Sequence, residues 1–78
     1  MKPTIGTVVI YNTTKEEQEQ MGKKPNCNVA TQLPAIVVAV LSDECVNLNV
    51  HIDGEGILML WITSSIKGDD ERQWNYCE

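Results

Sequence analysis

Apolar and polar positions alternate most clearly between Leu33 and Ser64, where three runs predict two consecutive β-hairpins: LPAIVVAVLS, CVNLNVHI and ILMLWITSS. In the first run Ile36, Val38 and Val40 fall on one face and Val37, Ala39 and Leu41 on the other. Apolar residues on both faces predict a central strand covered on both sides. The second run alternates strictly, with Val46, Leu48, Val50 and Ile52 against Asn47, Asn49 and His51, the pattern of a half-buried strand. The third places Leu58, Leu60 and Ile62 opposite Met59, Trp61 and Thr63, so its second face is apolar too. Asp53-Gly54 supplies residues that tolerate positive φ in a tight hairpin turn, with a bulge expected at Glu55-Gly56; Ser42-Asp43-Glu44 is a weaker turn signal.

The flanks are simpler. Pro3 favours an extended lead-in and Gly6 a bend before a β-branched first strand, Thr7 to Tyr11. Thr14 and Glu17 have capping-box spacing ahead of good helix formers, which predicts one or two helical turns stopped at Gly22, solvated because the apolar stripe is almost absent. Lys23 to Gln32 reads as a loop, and KGDDERQ leads into an aromatic tail, WNYCE. Four or five short strands, one short N-terminal helical turn and tight late turns predict an all-β domain spanning 1–78, a small SH3-like or OB-like barrel.

Size and charge then narrow the partners. At 78 residues the core is small. Such a chain buries about 60 to 65% of its unfolded surface, and one core of this size rarely contributes more than about 3–5 kcal/mol. With Met59 and Trp61 facing outward, self-association into a homo-oligomer is expected. The first residues form no secretory apolar region and no apolar run reaches about 18 residues, so a soluble intracellular protein with no membrane partner is expected, its three cysteines reduced. Eleven acidic residues outnumber six basic ones, and Lys2, Lys15, Lys23, Lys24, Lys67 and Arg72 are scattered. Polymeric nucleic acid wants a clustered basic face and is disfavoured; a small anion needs only one or two cations.

No reaction centre or cofactor site is legible. Cys27, Cys45, His51 and Cys77 could supply zinc ligands but lack close C-x₂-C pairing. A Cys45–His51 dyad would span about 20 Å of one strand, too far for contact. Asp53, Glu55, Asp69, Asp70 and Glu71 lack calcium-loop spacing, and neither a phosphate loop nor a nucleophile elbow is present. The few aromatics, Tyr11, Trp61, Trp74 and Tyr76, suit either barrel ends and a subunit contact or a stacking platform for a planar ligand.

KPTIG at 2–6, LPAIVVAV at 33–40, CVNLNV at 45–50, Asp53-Gly54, WITSS at 61–65 and the closing WNYCE resemble, in the same order, blocks of a family of short proteins encoded by tailed phages and prophages. Its members share a KPTIG start, a PAIV strand, a VNL strand, a DG turn, a W-V-T-S strand and a W-x-W-P-E ending. His51 stands where Phe is common, and Tyr76-Cys77 replace Trp-Pro. The resemblance carries no catalytic motif. It implies a phage-encoded, non-enzymatic protein of the host cytoplasm, of the anti-defence kind, sequestering a nucleotide-derived immune signal. A phage structural or assembly component, or an acidic protein inhibitor of a host enzyme, suits the same features. For the sequestering reading a composite pocket between subunits is expected. Trp74 and Tyr76 would stack on the ligand, Arg72 would hold a phosphate or carboxylate, and Asn47 or Asn49 would supply polar contacts.

Overall fold

The computed structural model describes residues 2–55 and 59–77. Along them run β1 (Val8–Asn12), α1 (Lys15–Gly22), β2 (Gln32–Val40), β3 (Cys45–His51), β4 (Met59–Ile66) and β5 (Trp74–Tyr76). The strands form one five-stranded sheet in the order β4-β3-β2-β1-β5, every neighbouring pair antiparallel. Its two outer strands meet where β4 ends: Lys67 bridges Trp74, and the Gly68 amide donates to the Trp74 carbonyl at 2.9 Å. The sheet therefore curls toward closure, giving the small, mainly β, barrel-like fold expected from the alternating runs. Leu58 and Gly56, assigned to the inward face of the third run and to a bulge, lie outside the described residues.

The inward residues are those the alternation picks out. Val9 and Tyr11, Leu33, Ala35 and Val37, Val46, Leu48 and Val50, with Ile62, Met21 and Trp74, make the core. Two register irregularities break the strict period: one between Val37 and Ala39, the other between Val46 and Leu48. At the second, Ser64 takes a positive φ of 56° while the Asn47 side-chain oxygen accepts from the Ser64 amide at 2.9 Å and the Thr63 hydroxyl at 3.1 Å. This bulge turns Ser65 inward, where its hydroxyl donates to the Arg72 carbonyl at 2.8 Å.

The central run departs from its expectation. Leu33, Ala35 and Val37 are buried, but Ile36 on the other face and Val38 at the register shift are only half-buried, and beyond the shift Val40, now opposite Val46, and Leu41 are exposed. One chain covers one face of β2; the second is shielded only by neighbouring side chains. The tail departs too, because it pairs with its own chain. Val9, Ile10 and Tyr11 oppose Tyr76, Asn75 and Trp74, making β5 part of the barrel rather than an arm free to reach a neighbour.

The N-terminal half follows local chemistry closely. Gly6, at φ 94°, makes the bend before β1, its amide donating to the Val37 carbonyl at 2.8 Å. Thr14 caps α1 and Glu17 completes the capping box from N3. Only Met21 of the helix is buried, so one apolar side chain pins a charged helix to the barrel. The connection that follows is stitched to the β3–β4 turn. Cys27 bridges Gly54, the Asn28 amide donates to the Asp53 carbonyl, and the Asn26 side chain bonds Glu55. No helix among the described residues is long and apolar enough to cross a membrane.

Candidate functional site

Docking α1 against the end of β3 and the start of β4 leaves a cavity of about 420 Å³, within the usual range for small-molecule sites. Met21, Ile52 and Leu60 give it an apolar side. Thr14, Glu16, Glu17, Gln20, Lys24 and Arg72 supply the polar side. The helix places Glu16, Glu17 and Gln20 within successive turns, and Lys24 follows its C-terminal end, the Lys24 amide donating to the Met21 carbonyl at 3.1 Å.

Glu17 is the fixed part of this wall, held from within the core by Tyr11. The buried Tyr11 hydroxyl donates to both Glu17 carboxylate oxygens, at 2.9 and 3.0 Å, and one of those oxygens also accepts from the Thr14 amide at 2.9 Å. Burial, then the hydrogen bond and negative charge of Glu17, push the Tyr11 hydroxyl far above its ordinary value of 10, with Arg72 opposing the shift. Tyr11 is thus a permanent donor at neutral pH, not a proton carrier. Glu17 is committed within the protein, and Glu16 and Gln20 remain to face a ligand.

Arg72 is held by its backbone. It adopts a left-handed φ of 68°, unusual for a side chain with a Cβ. Its amide donates to the Asn12 carbonyl at 2.8 Å, and its carbonyl accepts from Ser65. Its side chain is exposed and, among the described residues, forms no salt bridge. A guanidinium without a carboxylate partner beside an apolar wall can take an oxyanion through two parallel hydrogen bonds. The cavity is lined by no cysteine or histidine, and the Thr14 hydroxyl is engaged as the helix cap. Among the described residues no three of His, Cys, Asp and Glu gather to hold a metal ion.

Arg72 is the only one of the five sequence-chosen site residues that lines this cavity. Trp74 is 0% exposed, and its indole N–H donates to the Glu44 and Ser65 carbonyls at 3.1 Å each. As placed, it presents no ring face to a ligand. Tyr76, half-buried, meets it edge-on with centroids 5.1 Å apart, and the Lys67 ammonium lies 6.0 Å from the Tyr76 centroid. Asn47 and Asn49 lie on the outward face of β3, Asn47 already bonded to the bulge. One chain therefore does not bring the five together. The cavity's other groups went unread because a six-residue step from Tyr11 to Glu17 has no sequence signature; only Thr14–Glu17 announced itself, as a helix cap. The chain matches no known family model, no curated protein and no solved structure.

Proposed function

We propose that this chain is a non-catalytic binding protein that holds a small, nucleotide-like anion in the cavity between α1 and the β3–β4 end of the barrel. The observation that carries the reading is Arg72: an exposed guanidinium that lines the cavity with Met21, Ile52 and Leu60, interacts with the Tyr11 hydroxyl and forms no salt bridge among the described residues. Arg72 takes the phosphate or carboxylate with Lys24 assisting, Gln20 and Glu16 meet the donor and acceptor edge of a base, and the apolar side covers its plane. Joined to the resemblance to short phage proteins, this makes the ligand a nucleotide-derived immune signal of the host, sequestered in the host cytoplasm by a phage-encoded homo-oligomer.

A second reading has its own observation. Trp61, 65% exposed beside Met59, suits a protein contact, as an assembly component or an inhibitor of a host enzyme would need. A thermal-shift screen against cyclic dinucleotides and ADP-ribose derivatives separates the two. A ligand at 100 times its Kd stabilises by about 2.7 kcal/mol, and Arg72→Gly removes that shift. Absence of any shift across the panel, with the protein found in purified virions, rejects the sequestering reading in favour of assembly.

A further inference from the structure

None of the residues of β1 to β5 is Asp, Glu, Lys or Arg. Every charge that gives the chain its net −5 lies outside the strands, in α1, the connections and the terminal segments. The outward face of β1–β4 is consequently a neutral field in an otherwise acidic protein. Register places Val8 opposite Ile36, Ile36 opposite Asn49, and Asn49 opposite Trp61, and directly opposed residues project to the same side of the sheet. Val8 is 52% and Trp61 65% exposed, with Met59 at 51% in the next rung beside His51. An apolar row thus crosses four strands, interrupted once, by Asn49, whose amide has no hydrogen-bond partner among the described residues.

We infer that this face is a two-fold contact with a second copy of the chain, with Asn49 at the axis. Charge selects the partner: two copies at −5 repel wherever their helices or turns meet, and this field lets them approach without opposing carboxylates. Chemistry selects the centre. A carboxamide carries both donor and acceptor, so Asn49 can bond its own symmetry mate, which a carboxylate or an ammonium cannot do. Geometry selects the fit. A two-fold axis running along β3 through Asn49 reverses the order of strands in the facing sheet, so Trp61 of each copy lies over Ile36 of the other at the same one-strand offset, about 4.8 Å from the axis. The large exposed indole then covers the half-buried side of β2, the strand whose second apolar face one chain leaves uncovered. This contact lies apart from the α1 cavity and stands without it.

Sedimentation at micromolar concentrations tests the interface with Asn49→Asp, Trp61→Ser and Lys23→Gln, the last matching the net charge of Asn49→Asp from a site off the face. The native chain and Lys23→Gln are expected to sediment as dimers. Asn49→Asp sets two carboxylates against each other and weakens the dimer by on the order of a hundredfold or more, with circular dichroism unchanged; Trp61→Ser does the same by deleting the indole. Acrylamide quenching of Trp61 should fall as the native chain is concentrated. A native chain that is monomeric throughout, or a dimer that survives both face substitutions, overturns the proposal. Ligand binding retained by monomeric Asn49→Asp separates this contact from the cavity.

Discussion

Trp74 is the largest fully buried side chain, and both its ring and its N–H are committed inside the barrel. Replacing a buried Trp by Ala removes about 3–5 kcal/mol, as much as a core of this size supplies, so Trp74→Ala is expected to be unfolded by circular dichroism. Trp74→Phe keeps an aromatic ring but leaves a void where the rest of the indole sat and two carbonyls without their shared donor; a loss of at least about 1–3 kcal/mol in urea unfolding is expected. Tyr11 makes a different prediction, through pH. Below pH 10 its hydroxyl is protonated in both folded and unfolded chains, and it contributes no pH dependence. Above that, the unfolded chain releases its proton while the folded chain keeps it, so the unfolded state binds fewer protons and stability falls by up to about 1.4 kcal/mol per pH unit. Tyr11→Phe should flatten that alkaline fall in a melting-temperature series from pH 8 to about pH 11; native and variant curves that run parallel would deny the buried hydroxyl its role.

At the scale of elements, what was readable was what is local. Thr14 and Glu17 sit three apart and define a helix start without reference to the rest of the chain, and the alternation of Val46, Leu48 and Val50 names its buried face directly. Three residues of β5 are too few to carry a period. The pairing of Trp74 with Tyr11 depends on a partner strand about sixty positions upstream, so the sequence leaves open whether the aromatic tail closes its own barrel or lines a site between subunits. The bulge at Ser64 was hidden for a similar reason: Asn47, which stabilises it, lies on another strand. LPAIVVAV is apolar at alternate positions of both faces, but the structure buries only one of them, so the expectation of a strand covered on both sides does not hold for a single chain. These local devices are separately testable. Thr14→Ala should cost about 1 kcal/mol through the lost cap and loosen the cavity wall that α1 provides. Arg72→Gly relieves about 1–2 kcal/mol of left-handed strain and gives back roughly 0.4–1 kcal/mol in unfolded-chain entropy. Its melting temperature should therefore stay close to native while oxyanion binding is lost, and a large destabilisation would make Arg72 a structural residue.

For the molecule as a whole, the distribution of charge organises function. Uncharged strands build the barrel and its outward row, while the charged helix lines a cavity, so the proposed ligand site and the proposed self-contact would occupy different surfaces of a domain only 37 Å long. On the proposed reading, Glu16 and Glu17 in the lining would disfavour anions that offer charge alone, and a ligand would also have to satisfy the apolar residues and Gln20, an expected preference for nucleotides over inorganic phosphate. The central claim is the location of that ligand, and amide chemical-shift mapping by NMR tests it most directly. Titration with a nucleotide found by thermal shift should move the resonances of Glu16, Gln20, Lys24, Ile52, Leu60 and Arg72 together in a single saturating process, with Asn47, Asn49 and Tyr76 unmoved. Shifts centred on β3 and β5 instead, with the α1 residues still, would contradict the account.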